Sequence, residues 1–190
     1  LSVKSILDFW FGKPEDKNYG KPRKYWFSKS QEFDEEIRSR FLSTYRQAAE
    51  GKLNHWQQQP LSCLALIILL DQFPRNLFRD RPQAFATDDL ALGFAQYALV
   101  HGFDRQLLPV QRWFIYLPFE HSENLEHQQQ AVRLFATLKN DPDSASAIAS
   151  ACDHLEIIKR FGRFPHRNRI LGRLNTPQEE EFLKQSGSSF

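Results

Sequence analysis

An all-α fold is predicted by three features of this sequence. Apolar residues recur every three or four positions through most of its length, strand signals are nearly absent, and helix-starting and helix-stopping residues punctuate it at short intervals. No Asn-Gly or Asp-Gly hairpin turn occurs, and nothing alternates with period two for long. About eight helices joined by short loops are expected, in a single domain over residues 1–190. With 41% apolar residues and 17 phenylalanines, such a domain has ample surface to bury.

The elements follow in order. Ile6–Phe11 is amphipathic. The connection Gly12–Phe27 contains Tyr19, Tyr25, Trp26 and Phe27, which predicts that it packs on the domain. Phe33, Ile37, Phe41, Tyr45 and Ala48 step by three or four, with Asp34, Glu35, Arg38 and Arg46 on other faces and Gly51 closing the helix. The run Pro60–Phe73 is expected to stop at Pro74, because proline lacks an N–H and its ring strikes the preceding turn. Thr87 is a suitable N-cap, and Asp88 and Asp89 lie in the first turn of a helix that ends at His101-Gly102. Pro109 fits the first position of the next helix, which Pro118 is expected to disturb. A helix over residues 124–138 carries Ala131, Leu134, Phe135 and Leu138 on one face. Asp141-Pro142 opens another, which continues through Ile148, Cys152, Leu155 and Ile158. Thr176-Pro177-Gln178-Glu179 is a capping box for a short last helix that ends in a Ser-Gly-Ser-Ser tail.

Charge and cysteine content narrow the function classes. A net charge of +2 argues against a dedicated nucleic-acid binder. The longest apolar run, Leu64–Leu70 with its flanks, falls well short of the ~20 residues a membrane-spanning helix needs. Positive charge is concentrated in one stretch. No acidic residue lies between Glu156 and Glu179, whereas Lys159, Arg160, Arg163, Arg167, Arg169 and Arg173 all do. Cys63 and Cys152 lie in apolar helical contexts without CxxC spacing and read as buried, unpaired thiols of a reducing compartment. With no signal-peptide pattern at the amino end, the expected location is the cytoplasm.

One phrase occurs twice. Phe73-Pro74-Arg75-Asn76 follows the apolar run, and Phe164-Pro165-His166-Arg167-Asn168 follows Leu155–Phe161. Each places an aromatic ring, an arginine and an amide on a stiff helix exit. Asp71, at a helix C-terminus, opposes the helix dipole and calls for compensation by Arg75 or Arg79. Two uses stay open here: a structural ion pair with Asn76 capping a carbonyl, or a carboxylate and two guanidinium groups converging on a ligand.

A second polar island is Glu120-His121-Ser122-Glu123. Its Glu–His pair suits acid/base chemistry, but its spacing matches no zinc pattern such as HExxH, and no metal is expected. Ser122 can equally serve as the N-cap of the following helix. A third island begins with His154 and Glu156, the latter spaced for an i,i+4 pair with Arg160. Arg163, His166, Arg167 and Asn168 follow, with Phe161 and Phe164 between the cations. This stretch suits phosphates or carboxylates, or else a solvated helix end. No Gly-x-Ser-x-Gly, activated cysteine or Gly-rich phosphate loop is present, and no cofactor is expected.

Ile6-Leu7-Asp8-Phe9-Trp10-Phe11-Gly12, Leu70–Asn76, Ala84-Phe85-Ala86-Thr87-Asp88, Tyr116–Glu123 and Arg163–Asn168 together resemble the bacterial domain of unknown function 924 family. The likeness covers nearly the whole chain in the right order. It implies an all-helical fold related to the tetratricopeptide-repeat superfamily, with antiparallel helix pairs stacked in a curved array. No activity comes with the resemblance, although its motif residues are the same islands.

Two classes of function follow. One is a binding module in which Arg75, Asn76, Arg79, Arg163, His166, Arg167 and Asn168 grip an acidic small molecule or peptide segment. The other is an enzyme in which Asp71, Glu120 or His121 supplies acid/base chemistry on an anionic substrate. Asp71, Arg75, Glu120, His121, Arg163 and His166 are expected to converge, because each sits at a helix exit or kink.

Overall fold

The computed structural model describes residues 2–188, and every regular element among them is helical. The α-helices are α1 (Val3–Phe11), α2 (Gln31–Ala49), α3 (Pro60–Asp71), α4 (Phe73–Leu77), α5 (Asp88–Val100), α6 (Pro109–Glu120), α7 (Leu125–Ala136), α8 (Ala145–Phe161) and α9 (Pro177–Leu183). Because α4 continues α3 beyond a break at Gln72, the count agrees with the eight or so helices that the periodicity implies. Short 3₁₀ turns occupy many of the connections.

Polar caps start several of these helices. Ser30 accepts from Phe33 N–H, and Asn124 accepts from the amides of Glu126 and His127. Thr176 and Glu179 form the reciprocal box expected of them. The tail beyond α9 includes Ser189, which lies outside the described residues.

The helix α3 is the axis of the core. Every residue from Cys63 to Asp71 is buried, as a helix that is apolar all round requires. It packs against α1, α2, α4, α5 and α6. Phenylalanine and tryptophan fill the space between them: Trp10, Phe11, Trp26, Phe41, Phe73 and Phe114 are buried and in ring contact. Fully burying one such ring is worth about 1.5–3 kcal/mol. Trp26 donates its indole N–H to the Trp10 carbonyl at 3.0 Å, which seats the connection after α1 on the core as its aromatic content suggests. A smaller apolar cluster of Ile157, Ile158, Phe161, Phe164 and Phe182 docks α9 on the end of α8.

Several local expectations are corrected. Pro74 does not stop a helix. The break falls two residues earlier, at Gln72, and Pro74 sits in the first turn of α4, where its missing N–H has no partner to lose. Pro118 is carried inside α6, which runs on to Glu120. In the second phrase the helix ends at Gly162, whose φ of +70° suits glycine, and Pro165 opens a separate turn. Asn124, not Ser122, caps α7; the Ser122 hydroxyl lies 2.9 Å from His127 Nδ1. Glu156 pairs with Lys159 at 2.7 Å, because the Arg160 guanidinium lies over the Phe161 and Phe182 rings. Cys63 is buried but Cys152 is exposed; both are unpaired.

Candidate functional site

The end of α3 carries the first part of the site. Gln72 breaks the helix and donates its side-chain amide to Asp71 Oδ2 at 2.5 Å. Arg75, one turn on, folds back so that Nη1 donates to the Asp71 carbonyl at 2.5 Å and lies 3.5 Å from its Oδ1. Nη1 and Nη2 also grip the two Asp88 oxygens, at 2.8 and 3.1 Å. Asp88 is the first residue of α5, and Thr87 beside it donates its hydroxyl to the Leu70 carbonyl at 2.6 Å. Thr87 thus stands at the N-cap position but ties α5 to α3 instead of capping its own helix. Burial opposes the Asp71 charge. The facing His121 ring and the Arg75 guanidinium, with the hydrogen bonds from His121 and Gln72, outweigh it and hold the carboxyl below its ordinary range.

The C-terminus of α6 supplies the second part. His121 Nδ1 lies 2.7 Å from Asp71 Oδ1. An ionised carboxylate can only accept, so this contact puts the ring proton on Nδ1 and leaves Nε2 with its lone pair when the imidazole is neutral. Burial and then Arg75 push His121 below its usual value, against the pull of Asp71. Glu120 turns the other way, toward α8. Its Oε1 accepts the Ser150 hydroxyl at 2.8 Å and lies 3.1 Å from His154 Nδ1, which also donates to the Ser150 carbonyl at 2.8 Å. Its Oε2 is buried with no hydrogen-bond partner among the described residues. Burial therefore pushes the Glu120 carboxyl up to about 8, despite the Ser150 bond, with the Asp71 and Asp153 charges adding to the rise. At neutral pH it is a carboxylic acid. Burial likewise takes His154 down to about 3, so that ring is neutral too.

The second phrase supplies the third part. Its corner is anchored by Glu123, which accepts the Phe164 N–H at 2.8 Å and is gripped by both Arg173 Nη atoms at 2.7 and 2.9 Å. This brings the turn Pro165–Arg167 against α5. The Arg167 guanidinium is clamped between the Phe85 and Phe164 rings, 4.6 Å from each centroid. Nη1 reaches Asp88 Oδ2 only at 3.7 Å, and Nε is buried without a hydrogen-bond partner among the described residues. Burial, then the like charge of Arg75, lowers Arg167 to about 10, still a cation at neutral pH. Burial and Arg167 together take His166 down to about 4.

The cluster therefore contains two arginines, two aspartates, one protonated glutamate and three largely neutral imidazoles. Of the six residues expected to meet, Asp71, Arg75, Glu120, His121 and His166 do so, and Arg167 joins them. Arg163 stands beside the cluster: Glu179 takes its guanidinium through two 2.7 Å bonds, and the Leu174 carbonyl takes a third. Asn168 is buried in the same support, bonded to Asn175, Glu179 and Arg173. Asn76 and Arg79 point elsewhere, onto Asp34 of α2, where they line a groove of about 410 Å³. Asn76 is thus not a carbonyl cap, and Arg79 does not compensate Asp71. Asp88, Phe85, Ser150 and His154 complete the cluster. Asp88 was legible only as a first-turn acid suited to the helix dipole, and nothing local to Phe85 or Ser150 shows which residue each meets.

Among the described residues no group of three or more His, Cys, Asp or Glu side chains is placed to hold a metal ion, and no helix is long and apolar enough to cross a membrane. The protein is thus an all-helical one with a buried charge cluster built from helix ends. Residues 6–187 match the model of a family described as a bacterial protein of unknown function (DUF924), and the chain belongs to that family. A solved structure, that of the protein of unknown function ATU0120 from Agrobacterium tumefaciens, is 41% identical, with 96% of each chain covered and a TM-score of 0.83. No curated protein matches the chain.

Proposed function

We propose that the cluster binds the acidic group of a small molecule, a carboxylate or a phosphate, with Arg167 as its anchor. The observation that carries this reading is the state of Arg167. A guanidinium this deeply buried ordinarily has its N–H groups taken by carboxylates or carbonyls, since an unpaired buried charge is costly. Arg75 satisfies that rule, with three short bonds. Arg167 instead has one 3.7 Å ion-pair contact and a free, buried Nε. A ligand oxygen at Nε would meet the need. Helix pairs stacked in the tetratricopeptide manner would gather such helix ends on one side, and a cytoplasmic location would supply small metabolic acids.

A second reading is enzymatic. It is favoured by the 2.7 Å Asp71–His121 contact and the neutral Glu120, which put a base and an acid beside the same anion site. The deciding experiment for the anion site is a thermal scan in phosphate, sulfate or chloride at equal ionic strength. A ligand at a hundred times its Kd contributes about 2.7 kcal/mol. In a domain of this size that raises Tm by roughly 5–10 °C. Arg167→Ala should abolish the excess over chloride, whereas Arg79→Ala, outside the cluster, should retain it. Equal excess in wild type and Arg167→Ala would assign the effect to general salt exclusion and refute the site.

A further inference from the structure

The chemistry opposite Arg167 narrows the ligand. His121, Asp71, Arg75, Asp88 and Arg167 form one chain of contacts, with successive separations of 2.7, 3.5, 2.8 and 3.7 Å. The chain is folded: Arg167 lies over the Phe164 ring, Phe164 packs edge-on against His154, and His154 touches Glu120, the chain neighbour of His121. At one end, Arg167 Nε is a buried donor without an acceptor. At the other, His121 has its Nδ1 proton committed to Asp71, so Nε2 is an acceptor, and no donor among the described residues reaches it. The two ends of the site thus ask for opposite things.

We infer that the site takes an oxyacid that presents both an ionised oxygen and a hydroxyl, the ionised oxygen on Arg167 Nε and the hydroxyl donating to His121 Nε2. This inference rests on the anion-binding reading above. Two sources share that chemistry: a phosphate group that retains one O–H, and a hydroxycarboxylic acid. An anion without a hydroxyl would set a bare oxygen against the imidazole lone pair and leave Nε2 unpaired. The charges within the cluster favour the same class. Asp71 and Asp88 already balance Arg75 and Arg167, so little positive charge remains to hold an anion by Coulomb attraction alone, and a directional hydrogen bond must contribute. Asp71 serves as the positioning residue, because it fixes the tautomer that makes Nε2 an acceptor.

Two matched pairs of probes test this by calorimetry on the whole protein at neutral pH: phosphate against sulfate, and glycolate against acetate. In each pair one anion carries a hydroxyl and the other does not. One hydrogen bond made by the hydroxylated member alone predicts about a ten-fold preference for it. Preference within the first pair alone assigns the site to phosphates, and preference within the second pair alone to hydroxy acids. His121→Ala should reduce either preference to about one-fold while the weaker anion keeps its affinity. Should that variant fold poorly, the wild-type ¹⁵N signal of His121 Nε2 gives an independent readout, since it must shift from the free acceptor position on adding the preferred anion and stay put with the other. Equal affinities within both pairs, or a preference that survives His121→Ala, overturn the inference while leaving the anion site intact. Binding of none of the four anions overturns both.

Discussion

Glu120→Gln should convert a protein that loses stability as pH rises above 7 into one that is nearly level there. Glu120 is 2% exposed, its Oε2 has no partner, and its folded-state value is raised to about 8 from an ordinary 4.5. A carboxyl raised on folding contributes stability in full below its unfolded value and loses it as pH climbs through its folded value. Between the two, the folded state holds one proton more than the unfolded state. Stability then falls by about 1.4 kcal/mol per pH unit. Over the full interval the loss reaches about 5 kcal/mol, a large part of the ~5–15 kcal/mol that holds a typical domain. Glutamine keeps the shape and an oxygen for the Ser150 hydroxyl but cannot ionise. Urea unfolding at pH 7, 7.5 and 8, above the range in which the histidines titrate, should give a falling midpoint for the wild type and a nearly level one for Glu120→Gln. On the acid side the sign reverses. His154 and His166 are lowered to about 3 and 4, so both forms lose stability as pH falls from about 6.5 toward those values. Parallel slopes between pH 7 and pH 8 in the two proteins would refute the neutral buried acid.

The thiols and a helix cap give two further tests. Cys63 is buried, with its thiol pushed up to about 12 by burial, whereas Cys152 is exposed. A thiol reagent should therefore label one group quickly and a second only on denaturation; two fast groups would place Cys63 wrongly. Thr176→Ala removes the hydroxyl that accepts from Glu179 N–H, at a cost of about 1 kcal/mol, read from the urea midpoint. An unchanged midpoint would mean that Arg163 and its bonds to Glu179 hold α9 without the cap.

Helix periodicity and turn chemistry were enough to read the fold class, because burial follows one stripe of helices such as α2, α7 and α8, while α3 is apolar all round. Where neighbouring helices choose the partner, local reading falls short. Cys152 lies one position off the buried stripe Ala151, His154, Ile158 of α8, a displacement too small to see without knowing which face α7 covers. Arg160 gives up Glu156 because α9 brings Phe182 within reach. In the site, the ionisable residues at helix ends were recognisable by their cost: a carboxylate at a C-terminus, a Glu–His pair after an apolar helix, arginines at proline corners. Their partners were not. The Arg75–Asp88 pair and the Ser150–Glu120 bond join residues that share no sequence pattern, and only the packing of α5 on α3, which α4 continues, and of α6 on α8 brings them together.

The two copies of the phrase show most clearly why composition alone could not separate support from site. Phe73-Pro74-Arg75-Asn76 and Phe164-Pro165-His166-Arg167-Asn168 read almost alike, yet their arginines end in different states. Arg75 leaves a helical turn directly beneath Asp71, so a carbonyl and a carboxylate are waiting at hydrogen-bond distance. Arg167 leaves a 3₁₀ turn that glycine has swung away from α8, and the aromatic rings of Phe85 and Phe164 arrive where carboxylates would have been. Both arginines share Asp88, and Arg75 takes both of its oxygens first. What is left to Arg167 is a position between two rings, one distant carboxylate oxygen and an Nε that no group among the described residues answers. Supplying a second carboxylate there would stabilise the fold by pairing that charge, and it would also fill the site. The unpaired nitrogen is the feature that a ligand can use.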